Sequence, residues 1–158
     1  MGTDHYFSPT PPSGDEPKSS YRFTVEGRVL TIATDRGVFA RKGLDAGTEV
    51  LLDAVPRPPV RGNLLDLGCG TGAIALALAT RSPEATVHAI DVNPRAVELC
   101  RLNAQRNGLS NVSCSLDADV DPHLTFDVIW SNPPIRVGKA ELHAIMQAWI
   151  PRLNPGAS

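Results

Sequence analysis

The 158-residue chain has little of what marks a special environment. Its three cysteines form an odd set with no CxxC spacing. Cys69, Cys100 and Cys114 fall in a glycine turn, a helix and a strand, and read as reduced thiols of a cytosolic protein. His5, His88, His123 and His143 have no metal-ligand spacing with them, so no metal is expected. No apolar run approaches the ~20 residues of a membrane-spanning helix, and no charged-then-apolar leader opens the chain. No membrane partner is therefore expected, and the expected location is cytoplasmic. A net charge of −2 supplies no global attraction to nucleic acid, so RNA contacts would have to come from local basic patches. What remains is the composition of an ordinary soluble globule, long enough for a sizeable core.

The organisation follows from patterning. Residues 9–20 are rich in proline and serine, so residues 1–20 read as a flexible N-terminal arm. Stretches 21–25 and 28–32 alternate around Glu26-Gly27 and predict a hairpin. Residues 45–55 predict a short helix with Thr48 as its cap and Val50, Leu51 and Leu52 facing inward. A linker over 56–62 completes an N-terminal unit, 21–62. The rest, 63–158, alternates: strand 63–67, helix 71–80, strand 86–90, helix 94–107, strands 112–115 and 126–130, then a helix over 139–153. Asn93-Pro94 supplies a cap followed by proline at the first helical position, and Asn107-Gly108 the matching stop. Such alternation predicts a parallel sheet with right-handed crossovers. Trp130 and Trp149 read as packing residues of a strand and a helix rather than as base-stacking platforms.

Three motifs carry chemistry. In NLLDLGCGTG (63–72) an apolar strand leaves through a turn containing Gly68, Gly70 and Gly72. Glycines there allow positive φ and let backbone N–H groups approach a ligand. Alone, GCGTGA also satisfies the looser dinucleotide pattern. Asp66, two residues before the first glycine, suits a cationic amine and not a pyrophosphate. Asp91, ending the next strand about 20 positions on, stands where a carboxylate takes ribose hydroxyls. Strand 126–130 runs into Asn132-Pro133-Pro134, a rigid elbow at the carboxyl edge, where open α/β sheets bind ligands.

DLGCGTG resembles the first motif of the class I S-adenosylmethionine-dependent methyltransferases, and SNPPI resembles the Asn-Pro-Pro motif of their amino-methylating branch. With HYFSPTP, GVFARKGLDAGTEVLL and NPPIRVGK, the chain is similar to the small-domain family related to the 16S ribosomal RNA guanine-N2 methyltransferase, from about Tyr6 onward. The resemblance implies a Rossmann-like methyltransferase sheet with S-adenosylmethionine as cofactor and ribosomal RNA, or the small ribosomal subunit, as partner. It places Asp66 near the methionyl amine, Gly68, Gly70 and Gly72 against methionine and ribose, and Asp91 on the ribose. Asp117 would face the adenine, with Asp119 as the alternative. Asn132 and the backbone carbonyl of Pro133 would accept hydrogen bonds from the methylated amine. Pro134, Ile135 and Arg136 would meet the substrate, although Ile135 replaces a common aromatic and gives up stacking. Arg136 and Lys139 are either phosphate contacts or solvated charges, and Phe39 belongs either to the core or to the mouth of the site.

Members of the family carry seven strands in the order 3-2-1-4-5-7-6, and this chain shows recognisable sequence for the first four. The expected fold is thus the α/β methyltransferase sheet truncated after the fourth strand and following helix, preceded by the hairpin. Strand 126–130 would be an open edge, exposed to self-association. Two further readings stay open: methylation of a protein glutamine amide, and a non-catalytic cofactor-binding remnant.

Overall fold

A computed structural model, which describes residues 16–35, 46–131 and 138–157, resolves the apolar alternation into a hairpin and a parallel sheet. Strands β1 (Ser19–Val25) and β2 (Arg28–Thr34) pair antiparallel, from Val25 opposite Arg28 out to Ser19 opposite Thr34. Glu26 and Gly27 both take positive φ, 51° and 76°, as a tight two-residue turn between twisted strands requires. The hairpin is longer than the sequence alternation suggests and takes Ser19 and Ser20 from the expected arm. Residues 1–15 of that arm lie outside the described residues.

Helix α1 (Ala46–Ala54) follows. Thr48, expected as its cap, is instead buried inside its first turn, while the helix itself falls within the expected 45–55. Leu52 is buried and Leu51 half-buried, while the side chain of Val50 lies outside the described part. The linker 56–62 leads to β3 (Asn63–Leu67), β4 (Thr86–Asp91), β5 (Val112–Leu116) and β6 (Val128–Ser131). These four are parallel in the order β5-β4-β3-β6, connected by α2 (Ala73–Arg81) and α3 (Pro94–Arg106), with α4 (Lys139–Trp149) after β6. Asn93 caps α3 as expected, its Oδ1 accepting from the Arg95 N–H at 3.0 Å, with Pro94 in the first helical position.

Most other boundaries move by a residue or two, and two at the C-terminal end of the domain have a clear cause. Helix α4 stops at Trp149 and tightens into a 3-10 turn, Ile150–Arg152, because Pro151 has no N–H to continue the α ladder. Phe126 stands outside β6: it bridges in parallel to Leu153, its N–H donating to Arg152 O at 2.8 Å and its carbonyl accepting from Asn154 N–H at 2.7 Å.

Alternate residues of the strands feed the two faces of the sheet. Leu64, Val87, Ala89, Val128 and Trp130 pack beneath α1, α2, α3 and the hairpin, with Leu30 and Ile32 fully buried among them. On the opposite face Leu65, Ile90 and Phe126 form a smaller cluster, lined by Leu124, Ile129 and Trp149. Trp149 lies against Phe126 and under Arg152, so both tryptophans are packing residues.

Candidate functional site

Parallel strands bring all their carboxyl ends to one edge, and the glycines, Asp91, Asp117 and Asp119 singled out from sequence follow or end strands there. β3 leads into the glycine turn, β4 ends in Asp91, β5 (ending at Leu116) is followed by Asp117, and β6 ends in Ser131, next in sequence to Asn132. Asn132, Pro133, Pro134, Ile135 and Arg136 lie outside the described residues, as does Phe39. Lys139 is exposed at the start of α4.

The turn is fixed to β4 by its backbone: the N–H groups of Gly68 and Cys69 donate to Ile90 O at 2.8 and 2.9 Å. Gly68 and Gly70 have φ of 74° and 55°, and a Cβ added at either would meet nothing within 4 Å. Their faces are open to a ligand. Gly72 faces inward instead. A Cβ there would stand 2.8 Å from Cys100 Sγ and 3.2 Å from Leu76 Cδ1, so the third glycine serves close packing of α3 behind the turn.

Asp66 is fully buried in the central strand. Its Oδ2 accepts from the Ala75 N–H at 2.9 Å, satisfying one free amide of the first turn of α2. Its Oδ1 has no hydrogen-bond partner among the described residues. Burial pushes its pKa up to about 7, against the Ala75 bond, and the nearby Asp91 raises it further. Asp91 is half-buried, with Oδ2 accepting from Gly70 N–H at 2.9 Å and Oδ1 from Asn93 N–H at 3.0 Å. Each of its oxygens keeps a lone pair for a further donor. Asp117 and Asp119 share an exposed 3-10 turn directly after β5, and both remain candidates for the adenine.

The residues present discriminate between ligand classes. Two acids surround the turn, one with an orphaned buried oxygen, and one of the α2 amides that would greet a phosphate is already taken by Asp66. Such a donor set suits a cationic ligand carrying vicinal hydroxyls, as S-adenosylmethionine does, and repels a pyrophosphate. No group of His, Cys, Asp and Glu suited to a metal occurs among the described residues.

Two contributors escape sequence reasoning. Ser131 donates its hydroxyl to Leu67 O at 2.8 Å, tying the entrance of the Asn-Pro-Pro elbow to the strand that feeds the glycine turn. Asn103 donates to Thr71 O inside that turn. Its only sequence signal is a polar residue on the apolar stripe of α3, between Cys100 and Ala104.

Known proteins agree with this geometry. The methyltransferase small domain family model matches residues 29–153. The uncharacterised protein YbxB of Bacillus subtilis (strain 168) is 43% identical over 148 residues, covering 92% of this chain and 73% of that protein. Ribosomal RNA small subunit methyltransferase C of Shewanella piezotolerans is 40% identical over 122 residues, 77% of this chain and 35% of that enzyme. The chain thus spans about a third of the length of the rRNA methyltransferases it matches. Among solved structures, the T. thermophilus 16S rRNA N2 methyltransferase RsmC, in complex with AdoMet and guanosine, superimposes with a TM-score of 0.76 at 27% identity, covering 92% of this chain and 42% of that one. The chain belongs to the methyltransferase small-domain family, a family of S-adenosylmethionine-dependent methyltransferases.

Proposed function

We propose that this chain is an S-adenosylmethionine-dependent N-methyltransferase acting on an exocyclic amine of guanine in ribosomal RNA. The observation that carries the reading is the acidic glycine turn, in which the buried Asp66 oxygen and Asp91 flank the open faces of Gly68 and Gly70. The names of the relatives supply the RNA: the Shewanella enzyme is a ribosomal RNA methyltransferase, and the Thermus enzyme was solved with AdoMet and guanosine.

When bound, S-adenosylmethionine supplies a methyl group on a sulfonium that becomes neutral as the acceptor nitrogen gains charge. Asp66 would hold the methionyl ammonium, Gly68 and Gly70 the methionine and ribose edge, Asp91 the ribose hydroxyls, and Asp117 the adenine. Gly72 would contribute by keeping the turn close to α3. A guanine amine is conjugated with its ring, so its lone pair is poorly available. The Asn132 side-chain carbonyl and the Pro133 backbone carbonyl would accept its two N–H groups, favour a pyramidal nitrogen and stabilise its developing charge. The prolines would hold these acceptors in fixed directions, and Pro134, Ile135 and Arg136 would meet the base and its phosphates. No strong base is required, since the proton can leave after attack. The reading places the protein in the cytoplasm, with the small ribosomal subunit or its RNA as partner and the edge of β6 that no described strand pairs available to a second copy.

The test is transfer of labelled methyl to ribosomal RNA, to assembled small subunits and to a protein fraction. Label in guanine N2 supports the proposal. Label in protein alone shifts the acceptor to a glutamine amide, and binding of NAD with no response to S-adenosylhomocysteine removes the cofactor assignment.

A further inference from the structure

Among the described residues no strand pairs the second edge of β2, and helix α3 covers it with side chains instead of backbone. Asn103 and Asn107 stand one turn apart on α3 and meet Ala33 and Thr31, two residues apart on β2. Ala33 N–H donates to Asn103 Oδ1 at 2.8 Å, and Asn103 Nδ2 donates to Ala33 O at 3.0 Å. Thr31 N–H donates to Asn107 Oδ1 at 3.0 Å, and Asn107 Nδ2 returns to Thr31 O at 2.8 Å. A carboxamide carries the same donor and acceptor as a peptide unit, so the two asparagines act as a short strand along β2. Farther along the edge, Arg95 in the first turn of α3 binds both carboxylate oxygens of Asp35 at 2.7 Å.

Asn103 differs from Asn107 in reach. Its second amide hydrogen goes to Thr71 O at 2.8 Å, between Gly70 and Gly72, and the residue is fully buried. Thr71 sits in a stretch whose flanking glycines take φ of 55° and 103° and carry no side chains to hold that shape. We propose that Asn103 is the positioning residue of the glycine turn: its carboxamide, held by β2, fixes the 70–72 backbone and so sets affinity for the methyl donor. This rests on the S-adenosylmethionine reading above. A structural role alone would lower the melting temperature at either position and leave the affinity of the folded protein unchanged. Asn107, whose bonds to the hairpin are the same in kind but which has none to the turn among the described residues, is the control.

The experiment titrates S-adenosylhomocysteine calorimetrically into the parent chain, Asn103→Asp and Asn107→Ala, each well below its melting temperature. Asn103→Asp keeps the acceptor for Ala33 and loses both donors. Its affinity should fall about ten-fold, the scale of one buried hydrogen bond. Asn107→Ala should melt earlier yet bind within about two-fold of the parent. Should Asn103→Asp fail to fold, Asn103→Ser, which keeps one donor, is measured in its place and should show the same selective loss. Unchanged affinity in the Asn103 variants, or equal losses in both positions, overturns the inference. A parent chain that does not bind S-adenosylhomocysteine overturns the cofactor reading itself, and the two failures are therefore distinguishable.

Discussion

Gly70 and Asp91, 21 positions apart, are joined by one hydrogen bond, in which the Gly70 N–H donates to Asp91 Oδ2 at 2.9 Å. The acid proposed to hold the ribose therefore also helps shape the turn proposed to meet the methionine. Asp91→Ala should weaken binding of S-adenosylhomocysteine by about 1–3 kcal/mol, since a charge-assisted acceptor is lost together with the support of the turn. Asp91→Asn keeps one acceptor for Gly70 and should lose less. Calorimetry that finds Asp91→Ala equal to the parent removes Asp91 from the cofactor site.

Asp66 gives a pH signature. Burial raises its pKa from 3.8 to about 7, so between those values the folded protein keeps a proton that the unfolded chain releases. The contribution of Asp66 to the stability of the ligand-free protein is full below about pH 3.8 and disappears as pH rises through about 7. A methionyl ammonium beside Oδ1 reverses the preference and favours the carboxylate. Binding should then release a proton at about pH 6.5, and affinity should climb with pH across that interval. Titrations in phosphate and in Tris, which differ in ionisation enthalpy, read the release directly. Asp66→Asn should abolish it. If the parent shows identical binding heats in the two buffers, Asp66 does not face the ammonium.

Asn132 is proposed to act on the acceptor amine as it becomes charged, and an interaction that strengthens only in the transition state appears in kcat. Asn132→Ala should therefore lower kcat about 100-fold or more, the scale of removing one oriented dipole, and leave S-adenosylhomocysteine affinity near the parent's. Turnover of labelled cofactor at the parent rate would show that the elbow does not hold the amine.

What the sequence makes legible here is local. Positive φ at Gly68 and Gly70 follows from a turn only glycine adopts without strain, and the Asn93 cap and Pro94 mark the start of α3 in the chain itself. The remainder depends on neighbours distant in sequence. Gly72 looks like its two companions until Cys100 Sγ appears behind it, and Cys100 in turn lies 3.5 Å from Cys114 Sγ on β5. Asn103 reads as an ordinary helix residue until Ala33 and Thr71, 70 and 32 positions away, arrive at its amide. Phe126 continues an apolar run and yet leaves the strand, because Arg152 and Asn154 offer it a second backbone ladder. Single-residue chemistry reveals a turn or a cap; pairing across the sheet reveals which of several similar residues does which task.

The outer side of the sheet supplies the last prediction. β6 pairs with β3 along one edge, and no strand pairs its other edge among the described residues. Beside it, α4 has no buried residue, and Met146 and Ile150 are 46% and 48% exposed. An open strand edge next to an uncovered apolar helix is a ready surface for a second copy. The 158-residue chain should accordingly show a mass that rises with concentration in sedimentation equilibrium. Replacing both Met146 and Ile150 with lysine adds charge on that surface at two exposed positions, and should move the distribution toward monomer. Folding stability should change by no more than about 0.5 kcal/mol, as is usual for exposed positions. A parent chain that stays monomeric over the whole concentration range, with a sharp cooperative melt, would show that this edge closes without a partner copy.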